Sequence, residues 1–418
     1  MRTLANLYPW DIDGDPAAAD RIAGLGLTGV TLAAAYHAVR AVTPFHPRHR
    51  IVVRDAAVYY PPDRDRWRCS RLRPAAADPA GSFARAAGAL RAAGLPVTAW
   101  AVLAHNGRLG AASPGCAVEN AYGDTYPWAL CASVPAVRRY AATLAAEVAA
   151  QPGADAVELE ACGWYGVGHG SAHDKTGVAD PALEWLLSLC FCPDCRDAYA
   201  AAGAEPVQVL AAVRAAADER LTGTRGPADG PAGAGGLPAD VAAVVDTARA
   251  AVAGYFVREV IAAVRAAAPG KPVYLHADLD PRAAGASPGG DPAVLLGPEG
   301  ADGIVLACWD PARAADLAGR AAAAAPPGRT IAASLLAVAR LGGDPASLPA
   351  QAEAVARAGA SELRIYHAGL AGPADLHAIR ELCRITREEF GPVPGGKQLS
   401  AERTQPVPAG GPPAPAGP

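Results

Sequence analysis

Glu158 and Glu160 stand two residues apart in the run Ala-Asp-Ala-Val-Glu-Leu-Glu-Ala-Cys-Gly-Trp over 154–164. The run alternates with period two, as a strand does, so Ala156, Glu158 and Glu160 share one face and Asp155, Val157 and Leu159 the other. Two carboxylates on one face of an otherwise apolar strand are costly unless they are paired or used. The strand then enters Cys162, Gly163, Trp164 and Tyr165, an aromatic loop. Carboxylates beside aromatic rings suit acid–base chemistry on a polar ring such as a sugar.

Short β-rich runs alternate with Ala-rich helical runs along the chain. Strands are predicted over 3–7, 29–35, 96–103, 154–160, 272–278, 303–308, 330–338 and 362–367. Helices are predicted over 16–25, 82–93, 134–150, 181–202, 241–267, 312–324, 348–358 and 374–389. Gly26, Gly94, Gly153 and Gly270 act as helix stops before the next strand. Strand–helix units in this number predict a parallel sheet closed into a (β/α)8 TIM barrel, with 1–390 as one domain. Long insertions are expected after strand two, over 36–78, and after strand four, over 161–270 with extra helices and a flexible run at 223–238. Both emerge on the side where barrel enzymes build their sites. The Pro/Gly-rich tail 391–418 is predicted to be disordered. A doubly wound sheet is the alternative, but no Gly-rich phosphate loop opens an early helix.

The strand ends gather polar and aromatic groups. Strand one ends near Asn6, Tyr8, Trp10 and Asp11, strand two at Tyr36 and His37, and strand three at His105 and Asn106. Strand five offers Tyr274, His276 and Asp278, strand six Trp309 and Asp310, and strand eight Arg364, Tyr366 and His367. Strand seven offers Ser334 and no acid. Such a ring of groups reads as a ligand site. Glu158, the deeper carboxylate, could be held by Arg364 as a buried ion pair. Glu160, nearer the mouth, is the candidate general acid, because an apolar pocket disfavours its charged form. Glycoside cleavage needs a second carboxylate, about 5–5.5 Å away for retention or about 6.5–9.5 Å for inversion. Asp278, in-facing after Tyr274 and His276, is preferred slightly over Asp310, which precedes Pro311 and equally suits a helix N-cap. Trp164, Trp309, Tyr36 and Tyr366 would stack on the sugar. His37, His105 and His276 would bind its hydroxyls, and Asn6, Glu158 and Arg364 complete the binding set.

Cys190-Phe-Cys-Pro-Asp-Cys195 places three thiols within six residues. Three thiolates can fill three corners of a structural tetrahedral Zn²⁺ site. The fourth ligand is expected from Cys162, with Cys131, Cys116, His169 and His173 as alternatives. No organic cofactor is expected. This cysteine run, after a Glu-bearing fourth strand, resembles the family 42 β-galactosidases and their glycosidase-like relatives. The resemblance implies a zinc held by Cys190, Cys192, Cys195 and one upstream cysteine, with Glu160 about where the general acid would be. Leu159 stands where that family has Asn before its acid, strand seven lacks the nucleophile Glu, and Glu160 to Cys190 is a longer spacing. These departures argue for a glycosidase-like barrel rather than a β-galactosidase.

The 418 residues are 51% hydrophobic and carry a net charge of −4 without a basic run, which argues against nucleic acid as a partner. No apolar run reaches the ~20 residues of a membrane span, and the early polar N-terminus reads as cytoplasmic rather than as a signal peptide. The Ala/Gly/Pro/Arg-rich composition looks like that of a high-GC bacterium. Three functions follow in order of preference: a hydrolase acting on a small carbohydrate or glycoside; a carbohydrate-binding barrel without catalysis; and a divalent-metal isomerase or lyase using Glu160, His276 and Asp278 as ligands.

Overall fold

The structure is a computed structural model that describes residues 1–78, 80–168, 175, 177, 180–224 and 235–391. Eight parallel strands make its centre: β1 Arg2–Leu7, β2 Gly29–Tyr36, β3 Val97–Val102, β4 Ala156–Glu160, β5 Val273–Ala277, β6 Gly303–Ala307, β7 Thr330–Leu335 and β8 Glu362–Ile365. Each pairs with the next in chain order, and β1 pairs with both β2 and β8, which closes the ring. This is the expected (β/α)8 barrel. Strands covered on both faces read as apolar runs, and all eight residues of β2 are buried.

Helices cover the outside, and the sequence marks their starts. Asp180, Asp291 and Asp310 each accept a hydrogen bond from a first-turn amide and are each followed by Pro. Pro also opens Pro135–Ala149, Pro193–Ala201 and Pro206–Leu221. Two expectations change here. The single helix predicted over 181–202 is two, Pro181–Leu187 and Pro193–Ala201, because Pro193 cannot continue a helix and starts a new one. The β3–β4 connection holds more than a helix. Gly107–Ala112 precedes an antiparallel hairpin of Ala117–Glu119 and Thr125–Leu130, turned on Asn120, whose side chain accepts from the Tyr122 and Asp124 amides.

Ala156, Tyr274, Val305 and Ala332 form a small apolar cluster of their own, apart from the outer core. Beside it the interior turns ionic, with side chains from β1, β4, β5 and β8. Arg364, with no exposed surface, donates from Nε to Glu158 Oε2 at 2.8 Å and from Nη1 to Glu362 Oε2 at 2.7 Å. Arg2 reaches Glu362 at 2.6 Å, and His276 Nε2 lies 3.0 Å from Glu158 Oε1. The five side chains form one connected chain of ion pairs and hydrogen bonds through the barrel. Burying such groups is tolerable only while each keeps its partners.

Replacing Arg364 with Met leaves Glu158 with His276 and Glu362 with the half-exposed Arg2 as their remaining ion-pair partners. We expect a loss of about 3–5 kcal/mol in urea unfolding, with part recovered when Glu158→Gln is added.

Candidate active site and cysteine cluster

The mouth of the barrel is lined by rings. Tyr8 and Tyr36 each place their hydroxyl 3.3 Å from His367 Nε2. Trp100, inward on β3, packs edge-on to Tyr36 at 4.9 Å between ring centroids. His37 stacks on His105 at 4.2 Å, and Tyr165 Oη lies 2.8 Å from His105 Nδ1. Tyr366 packs against Trp309 at 4.9 Å, and Trp309 Nε1 donates to Ser334 Oγ at 3.4 Å. Trp309 is 43% exposed and forms the rim. Ala161 and His367 are the two non-glycine residues with positive φ, 53° and 51°, among those described. Both border the mouth, one directly after Glu160 and one past the end of β8. Backbone strain of this kind persists where the surroundings over-determine it, commonly at functional sites.

The two glutamates of β4 differ in kind. Burial opposes ionisation of Glu158, but Arg364 and His276 outweigh it and hold its carboxyl down at about 2. Burial likewise dominates at Glu160 and nothing outweighs it. Its carboxyl is pushed up to about 7, against opposing pulls from His276 and the Trp100 indole and with a further push from Glu158. The Trp100 contact stops short of a formed hydrogen bond, since Trp100 Nε1 and Glu160 Oε2 both lack a partner among the described residues. His276 is buried, which disfavours its charge, yet the Glu158 hydrogen bond raises its pKa. His367 is driven down to about 3, first by burial and then by His37, so it is a neutral ring at the mouth.

The remaining predicted site residues divide. Asn6, Tyr36, His37, His105, His276 and Tyr366 lie at or beneath the mouth. Asn6 is buried with neither side-chain polar atom partnered among the described residues. Glu158 and Arg364 are fully buried and paired with one another, with His276 and Glu362 as further partners, and Arg364 Nη2 has no partner among the described residues. Trp164 turns away: its Nε1 donates to the Arg249 carbonyl at 3.0 Å and its ring lies under the Arg249 guanidinium. Asp310 is exposed and caps Pro311–Ala324, a demand the following Pro already announced. Asp278 is half-buried, and its Oδ1 accepts the Asp280 amide at 2.8 Å. Tyr8 and His367, named among the strand-end groups, join the site, and so does Trp100, which the sequence reading did not name. The inward parity of Trp100 with Thr98 on β3 was the available signal for it.

The cysteines gather as a group of four. Ligand atoms of Cys131, Cys190, Cys192 and Cys195 lie within 4.8 Å of one another, and all four are buried. Cys131 Sγ is 3.5 Å from Cys195 Sγ and 3.7 Å from Cys192 Sγ. Four sulfurs about 2.3 Å from one tetrahedral ion are spaced ~3.8 Å apart, so this arrangement fits such an ion. The Glu119 amide donates to Cys190 Sγ at 3.4 Å, a hydrogen bond that would stabilise a metal-bound thiolate. The fourth member is therefore Cys131 and not Cys162, which is buried elsewhere against the helix Ala239–Ala267 and the segment after β5. Cys131 follows the β3–β4 hairpin, which carries it over to the cysteine loop. His169 and His173 lie outside the described residues. These four cysteines are the one metal-capable group among the described residues, so Glu160, His276 and Asp278 do not assemble as a metal triad.

No family model and no curated protein matches the chain. Solved structures do. The glycoside hydrolase domain of PgaB (BpsB) from Bordetella bronchiseptica aligns at a TM-score of 0.57 and 18% identity, covering 92% of this chain and 99% of that one. A β-galactosidase from the psychrophilic Marinomonas ef1 aligns at 0.55 and 10% identity, covering 94% and 60%. The α-L-fucosidase isoenzyme 2 from Paenibacillus thiaminolyticus aligns at 0.54 and 13%, covering 93% and 50%. The chain thus spans the whole of the first and about half to three-fifths of the other two. At these identities the likeness is one of fold: the chain has the barrel architecture of several glycoside hydrolases.

Proposed function

We propose that the chain is a glycosidase-like enzyme acting on a small carbohydrate or glycoside, with Glu160 as general acid. The observation that carries this reading is a carboxyl group pushed up to about 7 at the aromatic mouth of the barrel. A carboxyl that keeps its proton near neutrality can protonate a departing glycosidic oxygen. The aromatic rings supply faces for a sugar, and the solved structures of like fold are hydrolases of sugars by their names. Asp278 is the candidate second carboxylate, ahead of Asp310, which is exposed and occupied as a helix cap. The cysteine group would hold a structural Zn²⁺ that ties the β3–β4 hairpin to the loop 190–195. A second reading, a carbohydrate-binding barrel without turnover, is favoured by one observation: β7 carries no acid.

Hydrolysis of a panel of aryl glycosides by wild type and Glu160→Gln tests the proposal. Turnover is expected from wild type, with kcat/KM reduced about 10²–10⁴-fold in the variant. Because the acid must be protonated, wild-type activity is expected to fall as pH rises through about 7. Sugar binding without turnover in wild type would select the second reading.

Stability gives an independent readout of the same carboxyl. Burial raises its folded pKa from 4.5 to about 7, so its favourable contribution is present below the unfolded value and lost as pH rises through about 7. At about pH 8, Glu160→Gln is expected to be about 3 kcal/mol more stable than wild type, and near pH 4 no more stable. Elemental analysis is expected to find one zinc in wild type and in Cys162→Ser, and none in Cys131→Ser.

A further inference from the structure

A second pocket lies outside the barrel, against the long helix Ala239–Ala267 and the segment that follows β5. It is a cavity of about 560 Å³, within the range that holds small organic ligands. Its walls are largely apolar: Trp164, Ala250, Val257, Leu275 and Leu295 line it. One residue on that wall does not belong in an apolar environment. Arg249 is 3% exposed, and none of its three guanidinium nitrogens has a hydrogen-bond partner among the described residues. The face of Trp164 lies 4.5 Å below the guanidinium carbon, and Tyr199, Cys195, Asp246 and Cys131 act on it through space without a hydrogen bond. A buried cation with all its N–H groups unmet is strongly unfavourable unless an anion meets it.

We propose that this cavity binds an organic carboxylate with an apolar body, the carboxylate held by Arg249 and the body packed along the aliphatic wall. The acidic side chains around the cavity are engaged or exposed. Asp246 is paired with Arg282 at 2.7 Å, Asp291 caps Pro292–Leu295, and Glu299 is exposed. The second guanidinium on the lining, Arg258, sits over the exposed Tyr255 ring at 5.0 Å, and the buried His276, also on the lining, is engaged by Glu158 at 3.0 Å. A single buried guanidinium matches one carboxylate through a bidentate pair, whereas a compact dianion such as phosphate would find no second buried cation left unengaged. Arg249 also lines a small void with Cys195 and Tyr199, next to the cysteine group. The competing role is therefore a counter-charge for thiolates, with no ligand involved.

Calorimetric titration of the zinc-loaded full chain with decanoate, decan-1-ol and inorganic phosphate separates these roles. Decanoate is expected to bind at one site, at least about tenfold more tightly than decan-1-ol, with phosphate not binding. Arg249→Met is expected to remove the preference for decanoate while keeping its zinc. Ala253→Trp, which fills the cavity and leaves Arg249 in place, is expected to abolish binding of both ten-carbon probes, so the test stands if the Met variant fails to fold. The proposal is overturned if decanoate and decan-1-ol bind equally or neither binds. It is equally overturned if phosphate competes with decanoate, if the preference survives Arg249→Met, or if decanoate still binds Ala253→Trp.

Discussion

Arg364 governs the interior of this barrel. It is fully buried, and it holds Glu158 on one side and Glu362 on the other. Through Glu362 the charge chain reaches Arg2 at one end, and through Glu158 it reaches His276 at the other. A barrel interior is normally filled with apolar side chains. Here Ala156, Tyr274, Val305 and Ala332 form only a small apolar cluster, and the Arg364 ion pairs lie in the interior beside it. Such a layer adds little net stability against a well-packed apolar one, but it fixes where each charged side chain stands.

That fixed layer lets one strand carry two carboxylates in opposite states. Glu158 faces a guanidinium and an imidazole and stays ionised. Glu160, one step further along the same face, has spent none of its burial on a cationic partner and keeps its proton to about pH 7. His276 is hydrogen-bonded to Glu158, and its pull on Glu160 does not outweigh burial. The aromatic mouth completes the effect by excluding water. Environment, not residue type, separates the ionised carboxylate from the one that keeps its proton.

The barrel and the face shared by Glu158 and Glu160 were legible in the sequence, because period-two runs bounded by Gly and Pro repeat along the chain. The pairing of Glu158 with Arg364 followed from the same alternation. What was not legible depended on side chains leaving the local pattern. The hairpin Ala117–Glu119 and Thr125–Leu130 is short and contains Pro127, so no run was long enough to stand out, and Cys131 was not picked from among the upstream cysteines. The direction of Trp164 is set by the Arg249 carbonyl, 85 residues away in sequence, which no local rule anticipates. Asp310 carried two readable roles, and the Pro that follows decided for the cap.

Glu160 serves as the acid only if it holds its proton near neutrality. A carboxyl ¹³C NMR titration of glutamate-labelled protein measures this, with Glu160→Gln used to assign the resonance. A glutamate that titrates near pH 7 and is absent from the variant is expected. A Glu160 resonance that titrates near its ordinary value of 4.5 would contradict that role, since the residue would then be ionised at neutrality and unable to serve as the acid.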